Sequence, residues 1–228
     1  MFNHVELAEV FEVEAVTEDG TRTYPTPKGN YPSVTTVIGK NPEKMAGIMR
    51  WRQRVGEEKA NKVSKRATSR GNDFHLFAEH YLKNNHPTAE DLTAAPLPAM
   101  MFGAAVPILN NINNIYLQEA VLYSDLLKIA GRVDCIAEYN GVLSIIDFKT
   151  SAERKRRKYI YDYFVQEQAY ACMFYEMYGL APKQLVTIIA CEDLDIQVEI
   201  EKPCKEYYIK LQEYIAHYYK NYAGTTGG

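Results

Sequence analysis

The residues with the most chemical content lie in Gly131–Thr150, GRVDCIAEYNGVLSIIDFKT, where two aspartates and a lysine surround a predicted tight turn. Two runs rich in β-branched residues flank Asn140-Gly141, a dipeptide suited to a two-residue hairpin loop because both central positions need positive φ. With that loop, Tyr139 faces Val142, and counting back along the strands sets Asp134 directly opposite Asp147. Side chains alternate with period two, so Lys149 shares the face of Asp147. Opposed positions hold their Cβ atoms roughly 4.5–5.5 Å apart, and like charges there repel. A hard divalent cation would relieve that repulsion. Mg²⁺ or Mn²⁺ prefers oxygen ligands and commonly takes one or two carboxylates with waters and a phosphate. Asp134 and Asp147 supply the carboxylates, and the Phe148 backbone carbonyl lies between the aspartate and the lysine. Lys149 is then placed to offset negative charge building on a phosphate. The plain alternative is a surface hairpin in which Asp147 and Lys149 form an ion pair.

Two helical pairs add to this set. His75 and Glu79 are four apart on a predicted helix, Asn72–Asn84, whose Phe74, Phe77, Ala78 and Tyr81 recur at helical spacing. An imidazole ligates Mn²⁺ and, less readily, Mg²⁺, so His75 is a candidate metal ligand, although a solvated His–Glu pair has the same spacing. Gln166 and Tyr170 are also four apart, on a predicted helix from Tyr159 to Tyr178 that Gly179 stops. Taken alone, a buried amide and a buried hydroxyl would account for them.

The elements that must position these residues read as one α+β domain over 1–228 with a central mixed sheet flanked by helices. Residues 1–30 form an N-terminal hairpin or extension, with a turn at Glu18-Asp19-Gly20 and a Pro/Gly/Asn-rich stretch from Pro25 to Pro32. A basic helical pattern runs from Lys44 to Val63. A loop follows at Pro87–Pro98, then a helix at Ala99–Tyr116 and a strand at Gln118–Ser124. Strands are expected at Leu185–Ala190 and Ile196–Ile200. Lys205–Tyr222 reads as an amphipathic helix with Tyr208, Leu211, Ile215 and Tyr218 on one stripe, and 223–228 as a flexible tail.

The chain has 228 residues, 46% hydrophobic, enough for one sizeable core. No apolar run approaches the roughly 20 residues that span a bilayer, so no membrane partner is expected. The acidic N-terminus has neither an apolar h-region nor arginines, which predicts neither a secretory signal nor a transit peptide. A cytoplasmic address is the expectation, in the host cytoplasm if the chain is phage-encoded. Cysteines 135, 172, 191 and 204 are widely spaced and indicate neither a zinc site nor a disulfide framework. The net charge of −3 hides segregation: Met1–Gly20 carries six acidic residues and no lysine or arginine. Arg50–Arg70 carries eight basic against two acidic residues, and Lys149–Lys158 six against one. Local basic faces bind phosphate whatever the whole-chain sum, although either run alone could be a solvated surface.

Taken together, G-R-V-D, a hairpin, D-F-K-T and a Q-x-x-x-Y helix resemble the PD-(D/E)xK nuclease superfamily. The chain is most similar to its RecB-type exonucleases, in the group of the mitochondrial genome maintenance exonucleases and their phage relatives. The matching segments are Pro32–Lys40, Arg70–Leu82, Ala130–Ser151 and Gln166–Tyr170, in the family's order. The resemblance implies a restriction-endonuclease-like core and Mg²⁺- or Mn²⁺-dependent hydrolysis of DNA from free ends, preferably single-stranded. It implies metal ligands at His75, Asp134, Asp147 and the Phe148 carbonyl, with Glu79 and Glu119 as additional acids. Lys149 becomes the catalytic lysine, and Gln166 and Tyr170 organise it and the DNA. Ser33, Thr35 and Thr36 would touch phosphate or brace the site. Val133 stands where the superfamily's name has proline. The cysteine spacing of the iron–sulfur members is missing, so no iron–sulfur cluster is expected.

Basic residues would track the DNA backbone: Arg50, Arg52 and Arg70 from the first run, Arg154, Lys155, Arg156 and Arg157 from the second. Trp51 and some of the 18 tyrosines could stack on unpaired bases. Helicase motifs are absent, so unwinding would come from replication or recombination proteins. Two other readings stay open, an endonuclease or duplex-end recombination nuclease with the same site, and a non-catalytic nucleic-acid-binding protein of this fold.

Overall fold

The computed structural model describes residues 1–7 and 9–222; the tail expected at 223–228 lies outside the described residues. The chain runs β1 (Val16–Glu18), β2 (Thr21–Thr26), β3 (Gly29–Pro32), α1 (Val34–Gly39), α2 (Pro42–Val55), α3 (Glu57–Leu82), α4 (Ala89–Ala94) and α5 (Pro96–Leu109). It continues with β4 (Ile112–Ser124), β5 (Ile129–Tyr139), β6 (Val142–Ser151), a 3₁₀ turn (Arg157–Tyr159), α6 (Tyr161–Tyr178), β7 (Gln184–Cys191), β8 (Ile196–Glu201) and α7 (Lys205–Asn221). The fold is α+β with a mixed five-stranded sheet in the order β4-β5-β6-β7-β8, in which only β6 and β7 are parallel. Among the described residues no helix is long and apolar enough to cross a membrane.

The central hairpin forms as read. Asn140 and Gly141 take φ of 52° and 77°, and Tyr139 pairs with Val142. Alternation then divides the sheet between two apolar layers. Ile136, Ile145, Leu185 and Ile189 pack under α1, α6 and α7, whereas Cys135, Ala137, Ile146 and Ile188 pack under α3 and α5. Strands buried on both faces need the continuous β-branched runs that the sequence carries.

Several expected boundaries move. The Pro/Gly/Asn-rich stretch Pro25–Pro32 holds the end of β2 and all of β3, around a turn at Pro27-Lys28. The basic run is split at Gly56, φ 85°: its first part belongs to α2, and its second part joins the His75 segment in one 26-residue helix, α3. Residues 87–98 are not all loop, since a capping box of Thr88 and Asp91 starts α4 there. The helix expected to reach Tyr116 ends at Leu109, and the Asn-rich run opens β4. On α7 the buried stripe is Tyr207, Leu211, Tyr214 and Tyr218, with Tyr207 and Tyr214 in place of the expected Tyr208 and Ile215. The N-terminal segment is docked on the main sheet, with backbone bonds of 2.8 Å joining Asn3 and Val5 to Ile115.

Helix α6 grips β5 through Tyr170, whose hydroxyl donates to the Arg132 carbonyl at 2.8 Å. The ring passes over Gly131, where a Cβ would lie 3.0 Å from both Cε1 and the hydroxyl oxygen. This close approach explains the glycine of the GRVD string. Gly131→Ala should lower stability by about 1–3 kcal/mol through overpacking. Adding Tyr170→Phe should return part of that loss, as a urea-unfolding double-mutant cycle would report.

Candidate active site

The site lies where the sheet forks. The β5–β6 ladder ends at Cys135–Ile146, after which β5 pairs only with β4 and β6 only with β7. The next rung would be Asp134 against Asp147, the pairing expected from the turn, but it is not made. Asp134 Oδ2 instead accepts the Phe148 N–H at 2.7 Å, satisfying a backbone donor that the opening ladder leaves. On its other side Asp134 falls between the rungs Gln118–Cys135 and Ala120–Val133, opposite Glu119. Glu119 has φ of 49°, unusual for a residue with a Cβ, and its carbonyl accepts from Arg132 Nη1 at 3.1 Å. Glu119, Asp134 and Asp147 thus stand in a row across three adjacent strands.

Helices from both layers meet this row. From α3, His75 Nε2 donates to the Phe148 carbonyl at 2.8 Å, because only an N–H can satisfy a carbonyl oxygen. Its Nδ1 then faces Asp134 Oδ2 at 3.7 Å. From α6, Gln166 Nε2 donates to Asp147 Oδ1 at 2.8 Å. Lys149 Nζ forms an ion pair with the other Asp147 oxygen and lies 5.2 Å from the Tyr163 ring centroid. His75, Glu79, Glu119, Asp134, Lys149, Gln166 and Tyr170 line one cleft of about 550 Å³, together with Arg22, Thr35 and Arg132.

Electrostatics follow from this crowding. Burial, then the Asp134 and Glu79 carboxylates, push the Glu119 carboxyl up to about 8. Asp147, 2% exposed, is raised to about 6, mainly by burial and then by Asp134, with Lys149 pulling the other way. Burial alone would lower the Lys149 amine, but Asp147 and Asp134 outweigh it and hold it above its usual range. Behind the row, Glu167 is fully buried and its carboxyl is raised well above the ordinary value by desolvation and then by Asp147. Thr187, the β7 partner of Asp147, donates to Glu167.

The donors fit a hard divalent cation. Ligand atoms of His75, Glu119 and Asp134 lie within 4.8 Å of one another, and a proton held to about 8 by burial and by neighbouring acids is one that a cation can replace. Glu119, only an additional acid in the sequence reading, is thus part of the cluster, whereas Asp147 is turned toward Lys149 and Gln166. The Phe148 carbonyl is engaged by His75. Glu79 stands at the edge, paired to Lys83 through its carboxylate.

The expected DNA-binding residues are more scattered. Thr35 reaches the cleft, while Ser33 is the buried N-cap of α1, accepting from Thr36 N at 3.0 Å and donating to its hydroxyl at 2.8 Å. Arg70 is buried against Glu192 and ties α3 to the β7–β8 turn. Arg52 pairs with Glu57, Arg154 with Asp195, and Arg157 with Glu199 and Glu201. Lys155 donates to the Tyr163 hydroxyl at 3.1 Å. Arg50 and Arg156 form no ion pair among the described residues, and Trp51 is half-buried. Spacing does not single out Arg22, Arg132 or Glu167. Arg132 sits inside the GRVD string and Glu167 inside QEQAY, but nothing local marks them.

The chain is 30% identical over 139 residues to mitochondrial genome maintenance exonuclease 1 of Mus musculus, covering 58% of this chain and 40% of that protein. The Xenopus tropicalis protein of the same name is 31% identical over 144 residues, covering 60% and 40%. The resemblance to these exonucleases is therefore borne out, over a match that spans about two-fifths of their length. No family model matches the chain. A distant structural likeness joins it to a candidate exonuclease of Eubacterium rectale, with a TM-score of 0.44, 11% identity, and 68% of this chain and 65% of that one covered.

The Glu119 proton gives a measurable signature. The folded protein holds it to about 8, whereas an ordinary glutamate ionises near 4.5, so stability contributed by the neutral form is full below 4.5 and is lost as pH rises toward 8. Glu119→Gln should flatten that fall in melting temperature between about pH 5 and about pH 9 without divalent cations. An unchanged slope would place the proton elsewhere.

Proposed function

We propose that this chain is a single nuclease domain that hydrolyses DNA phosphodiester bonds with Mg²⁺ or Mn²⁺, as an exonuclease acting on free, preferably single-stranded, ends. The observation that carries this is Glu119 and Asp134 meeting His75 and Lys149 in one cleft, with Asp147 buried against Lys149, in a chain similar to proteins named as exonucleases. A divalent cation held by His75, Glu119 and Asp134, with Asp147 beside them, would supply Lewis-acid polarisation of a phosphate oxygen.

The chain's own groups do the rest. Lys149, kept cationic by Asp147 and Asp134, faces the cleft where a phosphodiester would gather negative charge. Asp147 fixes the ammonium group, and Gln166 fixes Asp147, so the charge is in place before the substrate arrives. Tyr170 holds the Arg132 backbone, and with it the strand that presents Asp134. Arg22, Arg132 and Thr35 at the cleft wall can meet flanking phosphates, and the exposed Arg50 and Arg156 can follow the strand farther out.

The test is digestion of end-labelled linear single-stranded DNA beside a circular single strand, in Mg²⁺ or Mn²⁺, with Asp134→Asn as control. Loss of the linear strand alone, abolished in the variant, is the expected result. Cleavage of the circle would make the protein an endonuclease, and cleavage of neither would leave a binding protein. Lys149→Ala should cut the cleavage rate by roughly 10²–10³, the scale for losing one preorganised electrostatic group. Its affinity for the same strand should stay within about threefold, since binding rests on many phosphate contacts. Equal losses in both would make Lys149 a binding or folding residue.

A further inference from the structure

Helix α3 carries a second surface. Thr68, Gly71, Asn72 and His75 turn one face toward the cleft, while Lys62, Lys65 and Arg66 lie on a different face and border a groove of about 500 Å³. The opposite side of that groove is the α4–α5 junction, where Ala94, Ala95, Pro96 and Leu97 present an apolar wall over the buried Pro98.

The two walls differ in kind. Lys65 forms no ion pair among the described residues. Lys62 pairs with Glu58 and Arg66 with Glu192, but with side chains 76% and 67% exposed these are surface pairs that an incoming carboxylate can exchange at little cost. Arg70, buried against Glu192, keeps the helix in place, and Asp73 is the one acid on the groove's lining. The wall of proline and leucine offers no hydrogen bond from its side chains to a nucleic-acid backbone, but it can bury apolar groups. Cations beside such a wall complement an acidic segment that also carries apolar side chains.

We propose that this groove docks a short acidic peptide segment of a partner protein, with its apolar side chains on Pro96 and Leu97 and its carboxylates along Lys62, Lys65 and Arg66. Because groove and cleft use different faces of α3, the occupied groove leaves the cleft open to its own substrate.

Fluorescence anisotropy with a labelled synthetic peptide, Glu-Asp-Asp-Leu-Phe, tests this on the full chain. Saturable binding is expected, weakened about tenfold by Lys62→Glu with Lys65→Glu and about tenfold by replacing Leu-Phe with Ser-Ser. An excess of oligothymidylate should not displace the peptide. Both substitutions are at exposed positions, and circular dichroism checks that the fold is kept. No saturation at about 1 mM peptide, or binding indifferent to both changes, overturns the proposal. Displacement by the oligothymidylate also overturns it and makes the groove part of the nucleic-acid path. None of these outcomes depends on whether the cleft cleaves DNA.

Discussion

Three carboxylates gathered on adjacent strands, one buried and two half-buried, set the terms for everything around them. Glu119, Asp134 and Asp147 cannot all ionise side by side without compensation. The structure answers each differently. Glu119 keeps its proton to about 8, Asp134 accepts a backbone N–H from Phe148, and Asp147 takes Lys149 and Gln166. Such a row destabilises a fold unless something positively charged is meant to join it, which is why the arrangement reads as a site rather than as a sheet defect.

The fork in the sheet makes the row possible. Had β5 and β6 stayed zipped past Cys135, Asp134 and Asp147 would be ordinary opposed side chains on one face. Because the strands part there, helices packed on opposite faces can reach the same point, α3 with His75 and α6 with Gln166 and Tyr170. The fork holds its shape because its loose backbone groups are engaged by side chains. Asp134 takes the Phe148 N–H, His75 the Phe148 carbonyl, Tyr170 the Arg132 carbonyl, and Arg132 the Glu119 carbonyl. Residues with chemical roles are therefore also the ones that brace the strands.

Charge is handled locally as well. A net charge of −3 coexists with strongly basic segments because many of their guanidinium groups meet acids from distant strands. Arg154 and Arg157 lie against the β7–β8 turn and β8, and Arg70 against Glu192. Exposed pairs of this kind contribute little stability and exchange readily with phosphate, so they leave a basic surface in reserve. Buried Arg70 is different, since its guanidinium is part of the wall.

What the sequence alone determined is whatever local chain chemistry dictates. Asn140-Gly141 had to turn because both positions accept positive φ, and that turn brought Asp134 to the neighbourhood of Asp147 and Lys149, although the rung between the two aspartates is not made. Helical spacing paired His75 with Glu79 and Gln166 with Tyr170. The folded chain decided what depends on contacts across space. A positive φ at Glu119 leaves no mark in a glutamate's identity; it is held by Arg132, thirteen positions on, through a bond to its carbonyl. Nor could spacing tell that Arg70 would be buried on Glu192 while Arg50 stays exposed, since a basic run looks the same whether its partners are phosphates or carboxylates. Turn and periodicity rules act over a few residues, whereas the fork, the third acid and the fate of each arginine are set by which distant strands and helices meet.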